Sequence, residues 1–148
     1  MPSEYQHIVV AVDGSKASEN AFQKAIAIAK RNNAQLIVAH VLDTKTVSSV
    51  EAYDQSLVNR SEVYAKTLLE DYYNQAVHAG VSKVETNIDY GSPKVRIPKY
   101  VAPAYQADLI VCGATGLNAV ERFLIGSVSE NITRHATCDV LVVRSVEE

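Results

Sequence analysis

Residues 7–15 read HIVVAVDGS. Five consecutive apolar residues, 8–12, are too few for a buried helix and dense in Val and Ile, the composition of a strand covered on both faces. Asp13-Gly14 then breaks the run. Beyond it Ala17, Ala21, Phe22, Ala25, Ile28 and Ala29 recur at three-to-four spacing, which is one face of a helix. Ser15 is placed to cap that helix, its hydroxyl taking up a free backbone N–H. Strand, turn and helix in this order are the first half of a βαβ unit.

The same grammar repeats outward. Strands are expected at 35–42 (QLIVAHVL), 84–89 (VETNID), 108–112 (DLIVC) and 139–144 (DVLVVR), besides 7–13. VETNID alone alternates apolar and polar, so it belongs at a sheet edge with one wet side. A second helix is predicted from Val58 to Ala79, with Val58, Ala65, Leu68, Leu69, Tyr72 and Ala76 inward and Gly80 as a left-handed stop. A third opens at Ser92-Pro93 and then meets Pro98 and Pro103. Pro98 removes the bond from its own nitrogen to the Lys94 carbonyl, so this helix should be kinked or broken. A short last helix runs from Ser127 to Ala136. Between strand two and helix two, residues 43–57 show no period; the first half reads as a mobile loop, of a length common in lids and binding loops. The alternation makes one α/β domain over 1–148, a doubly wound five-stranded parallel sheet with helices on both faces. Strand orders 2-1-3-4-5 and 3-2-1-4-5 are both open on physical grounds. Either way a ligand binds outside the carboxyl ends of the strands, where the winding reverses.

Composition narrows the function. The chain has 148 residues, 47% hydrophobic and 21% charged, ordinary globular values. Fourteen Lys and Arg against 17 Asp and Glu leave a formal charge of −3, with no basic field for nucleic acid. No apolar run exceeds five residues, far short of the roughly 20 that span a membrane. The opening MPSEYQ lacks the basic and apolar regions of a signal peptide, so a cytoplasmic location is expected. Cys112 and Cys138 lie beside apolar runs and read as small buried hydrophobes. No CxxC, CxH or HExxH spacing marks a zinc site.

The stretch GATGLNAVERFLIGS, residues 113–127, follows the fourth strand directly. Gly113, Gly116 and Gly126-Ser127 stand in a G-x2-G-x9-G-[ST] spacing. Glycine lets a backbone approach a ligand, and Gly126-Ser127 opens the last helix, whose free N–H groups and dipole favour phosphate. Each glycine alone could equally make a turn. A P-loop, a G-x-G-x-x-G after the first strand, a G-x-S-x-G elbow and kinase signatures are all absent. Together IVVAVDGS (8–15), LIVAHVLD (36–43), ADLIVCGATG (107–116), the glycine spacing and the closing DVLVVR resemble the universal stress protein family over essentially the whole chain. The resemblance implies strand order 3-2-1-4-5, a homodimer and ATP binding. It implies adenine on the backbone of Val41, flanked by Ala11 and Val12, and Asp13 on the nucleoside or on a Mg²⁺ that accompanies the nucleotide. Gly113, Thr115 and Gly116 would line ribose and phosphates; Gly126, Ser127, Val128 and Ser129 would receive phosphate at the helix start. Asp13 has a plainer reading as a turn carboxylate before Gly14-Ser15. Ala114-Thr115 stands where many relatives carry Ser followed by Arg or His, which removes a positive partner for phosphate. Arg122 could replace it, or be a solvated surface arginine.

Chemistry beyond binding finds little support. Of the four histidines, His40 reads as a structural histidine on its strand and His135 as a cation at a helix end. No Ser-His-Asp set or paired carboxylates appear by spacing, so hydrolysis, if any, rests on Asp13 with Mg²⁺. The charged segment 60–71 is a solvated helix face, and Tyr64, Tyr72 and Tyr73 read as core edge. The candidates are an ATP-binding (or ADP- or AMP-binding) regulatory dimer, a weak Mg²⁺-dependent ATPase or phosphotransferase, and a nucleotide-free interaction protein. In each the strand with Val140, Leu141, Val142, Val143 and Arg144 is the dimer edge, because an apolar open edge invites pairing.

Overall fold

The structure is a computed structural model and describes residues 4–43, 55–115 and 125–144. Its elements are β1 (His7–Ala11), α1 (Lys16–Asn32), β2 (Gln35–Asp43), α2 (Gln55–Ala79), β3 (Lys83–Gly91), α3 (Pro93–Arg96), a π-helical turn (Ile97–Val101), α4 (Ala102–Ala104), β4 (Leu109–Gly113), α5 (Ser127–His135) and β5 (Asp139–Val143). All four strand pairings are parallel, in the order β3-β2-β1-β4-β5. The winding therefore reverses between β1 and β4, whose register pairs Val9 with Ile110 and Val10 with Val111. The alternating strand β3 is at one edge and β5 at the other, each with a single neighbour.

Successive strand residues point to opposite faces, and each face has its own core. Ile8, Val10, Leu36, Val38, Leu109 and Val111 pack against α1 and α2. Val9, Ile37, Ala39, Ile110 and Cys112 pack against the α3–α4 segment and against Ile132 of α5. Every residue predicted for the buried face of α1 is buried, and Ser18 and Ile26 join them. On α2, Ala65, Leu69, Tyr72 and Ala76 are buried, whereas Tyr64 and Tyr73 are exposed and do not belong to the core edge. Phe22 and Tyr72 meet edge to face, 4.5 Å between ring centroids, and join the two helices.

The helix ends follow local chemistry. Gly80 takes φ +104°, and the N–H groups of Gly80 and Val81 donate to Val77 and Ala76 carbonyls, closing α2 with a Schellman motif. Asn33, at φ 52°, closes α1 in the same way. The proline-bearing third helix is not broken. Around Pro98 it widens into a π turn in which the Ala102 N–H reaches the Ile97 carbonyl, five residues back. The wider turn accommodates a residue that cannot donate and whose ring would crowd the carbonyl four positions earlier. Ser92 does precede α3, with Pro93 at the first helical position, but its hydroxyl makes no capping bond. Of the stretch 43–57, whose first half is expected as a loop, Asp43 ends β2 and residues 44–54 lie outside the described residues. Among the described residues no helix is long and apolar enough to cross a membrane.

Candidate functional site

The carboxyl edge of the sheet brings together the ends of β1, β2 and β4 and the start of α5. At β1, the Val12 N–H still bonds the Ala39 carbonyl (2.9 Å), and then the chain turns away. Backbone groups of a strand alternate sides, so Ala39 and Val41 face the same neighbour. The last β1–β2 pair is Ala11 with Ala39. The N–H and C=O of Val41 therefore face a place that β1 has already left. His40 is buried beside them, its Nδ1 2.8 Å from the Val12 carbonyl oxygen. It is a structural histidine that holds the last residue of the β1 ladder.

Asp13 forms the turn. Its Oδ1 accepts the Ser15 N–H at 2.8 Å, and its own N–H donates to Ser18 Oγ at 3.2 Å. Ser15 caps α1 by accepting the Ser18 N–H at 3.2 Å, as its position predicts. The turn reading of Asp13 thus holds for Oδ1, and no described residue bonds Oδ2.

Gly113 ends β4 without positive φ, so turn geometry does not require it. Its reason is space. A Cβ there would lie 2.8 Å from the Ala17 carbonyl carbon and Cβ and 2.9 Å from the Ser18 nitrogen. The absent side chain lets the first turn of α1 sit directly on β4. Ala114 then ties three pieces together: its N–H donates to Val143 O (2.8 Å), and its carbonyl accepts from Gly126 N (2.6 Å) and Ser129 Oγ (2.8 Å). Ser129 is 2% exposed and its hydroxyl also lies 3.0 Å from the Gly126 carbonyl. That hydroxyl is committed to fastening α5 to β4, a role with no sequence signal beyond serine's position in the first turn.

The start of α5 is left open by this fastening. Gly126 is its N-cap residue and has no side chain to cap with. The first helical bond runs from Glu130 N to Gly126 O. The N–H groups of Ser127, Val128 and Ser129 therefore lack an intrahelical acceptor, at the positive end of the helix dipole. Thr115 sits two residues past β4; Gly116 and Arg122 lie outside the described residues. Cys112, one residue before Gly113, is buried, and burial pushes its thiol up to about 12. Cys138 is half-buried and raised as well, by burial and by Asp108 and Asp139. Among the described residues no cluster of His, Cys, Asp or Glu could hold a metal ion.

The model of the universal stress protein family matches residues 4–144. The chain belongs to the universal stress protein family. A relative from Staphylococcus haemolyticus, named as a universal stress protein, is 52% identical over 143 residues, 97% of this chain and 87% of the relative. The universal stress protein UspA from Lactobacillus plantarum is similar in structure, with TM-score 0.83 and 33% identity, covering 96% of this chain and 99% of that one. A universal stress protein crystallised in complex with cAMP superposes with TM-score 0.73 at 31% identity, covering 97% of this chain and 100% of that one. The five-stranded parallel sheet of this chain, in the order 3-2-1-4-5 with helices on both faces, is the fold that the family resemblance implies.

Proposed function

We propose that this universal stress protein is an adenine-nucleotide-binding regulatory module, that ATP is the nucleotide it takes, and that it turns ATP over slowly or not at all. The carrying observation is the uncapped start of α5, where three backbone N–H groups converge beside the strand end to which Ser129 fastens them. That is a phosphate cradle. The open backbone of Val41 supports the adenine assignment, since an amide N–H and C=O can read the ring's acceptor and donor edge; Ala11 and Val12 flank it. Asp13 Oδ2 faces ribose hydroxyls or a Mg²⁺ brought by the nucleotide. Gly113, Thr115 and Gly116 line the ribose and phosphates. The cAMP complex of a relative 31% identical supports the same ligand class here. Among the described residues His40 is spent on the Val12 carbonyl and Asp13 Oδ1 on the Ser15 N–H, which supports binding ahead of hydrolysis.

Two further parts complete the reading. The protein works in the cytoplasm as a homodimer, joined along β5, whose Val140, Leu141, Val142 and Val143 remain partly exposed at an unpaired edge. Nucleotide binding then stabilises one arrangement of that dimer. Calorimetric titration of nucleotide-stripped protein with Mg-ATP, and in parallel with AMP and cAMP, tests the proposal. Saturable binding near one per chain, tightest for ATP, is the expected result. Silence in heat and in thermal shift at millimolar nucleotide would remove the cradle and leave a dimeric interaction protein.

A further inference from the structure

The first turn of α1 carries a closed ring of hydrogen bonds. Asp13 Oδ1 accepts from Ser15 N, Ser15 Oγ accepts from Ser18 N, and Ser18 Oγ accepts from Asp13 N. Ser18 Oγ returns its own hydrogen to the Ser15 carbonyl at 3.2 Å. Ser18 is only 3% exposed. The Ser18 nitrogen is also one of the atoms that Gly113 leaves room for. Ser18 thus touches the two strand ends on either side of the winding reversal, through Asp13 and through Gly113.

We infer that Ser18 is a positioning residue for the nucleotide site: its hydroxyl sets the orientation of Asp13, so that Oδ1 is spent on the turn and Oδ2 faces the crevice. This rests on the reading of Asp13 as a nucleotide contact. Without the hydroxyl, the part-buried Asp13 N–H loses its partner, and the carboxylate is free to leave the turn. Stability and ligand contact both depend on the ring, but only the second passes through Asp13 Oδ2.

A double-mutant cycle separates the two. Mg-ATP affinity is measured by calorimetry for the wild type, Ser18→Ala, Asp13→Ala and the double variant, with Tm for each. Ser18→Cys, close in shape and a poor acceptor, serves if the alanine variant does not fold. Loss of one such hydrogen bond predicts that Ser18→Ala weakens binding about tenfold in the wild-type background. In the Asp13→Ala background it weakens binding less than about twofold, a non-additivity that a purely structural role does not produce. A lower Tm with unchanged affinity would overturn the inference, as would an equal loss in both backgrounds. If the wild type itself binds no nucleotide, the proposed function falls and the inference with it. Normal binding by Ser18→Ala sinks the inference alone.

Discussion

Two helices begin at the carboxyl edge of this sheet, and they begin differently. At α1, Ser15 caps the Ser18 N–H, Asp13 ties the preceding turn, and the backbone of Ala17 and Ser18 lies against Gly113. At α5, the capping position is Gly126, and the Ser129 hydroxyl faces back to the Ala114 carbonyl. One start spends the Ser18 N–H on its own capping side chain and lies against a neighbouring strand. The other keeps its donors for something else. A helix dipole at a strand end is common to both, so the dipole alone does not distinguish the proposed phosphate site; the capping residue and the packing do.

The contrast can be broken first at Gly113. Gly113→Ala forces a Cβ into the backbone of α1 and is expected to cost about 3 kcal/mol, the upper range for overpacking. For a chain of this size that lowers Tm by roughly 6–12 °C, measured by thermal melting. An unchanged Tm would mean that α1 is not seated on β4 as described. Next, Gly126→Asp gives α5 the carboxylate cap that it lacks. Stability should hold or rise by a few tenths of a kcal/mol, while Mg-ATP binding weakens more than about tenfold, because a capping carboxylate occupies the donors and repels phosphate. Binding retained by this variant would put the phosphates elsewhere. Ser15→Ala removes a real cap, and its expected cost is about 1 kcal/mol in denaturant unfolding.

A pH dependence concerns Cys112, beside the Gly113 contact. Its thiol stands near 12 in the folded chain against an ordinary value of 9.0. The folded state therefore holds the proton more tightly, a contribution fully present below about pH 9 and lost as pH rises toward 12. Unfolding free energy measured across that window should fall more steeply in the wild type than in Cys112→Ala. Equal slopes would show that the end of β4 opens to solvent more than its packing implies.

Much of this was legible without coordinates, for reasons that stay local. Apolar density named four strands, and alternation placed VETNID at an edge, where β3 lies. Ser15 and Gly80 marked a helix start and a helix end because capping depends on a few adjacent residues. Boundaries moved by a few residues: β4 is Leu109–Gly113 and β1 stops at Ala11, since pairing with neighbours sets strand ends. Pro98 predicts a kink or break, and the chain makes a π turn instead, because the helix can widen while staying packed through Ile97, Val101 and Ala102.

What the sequence determined by itself is the set of elements, the parallel α/β class and the residues that could meet a nucleotide. On periodicity alone two strand orders survived, and the family resemblance, not the pattern, favoured 3-2-1-4-5. Only the tertiary structure decided why Gly113 must lack a side chain, that Ser129 spends its hydroxyl on Ala114, and that Ser18 joins Asp13 to the first turn of α1. Each of these is a contact between segments distant in the chain or hidden within a turn. Periodicity reports which side of an element is buried, and is blind to what waits on the other side of the contact.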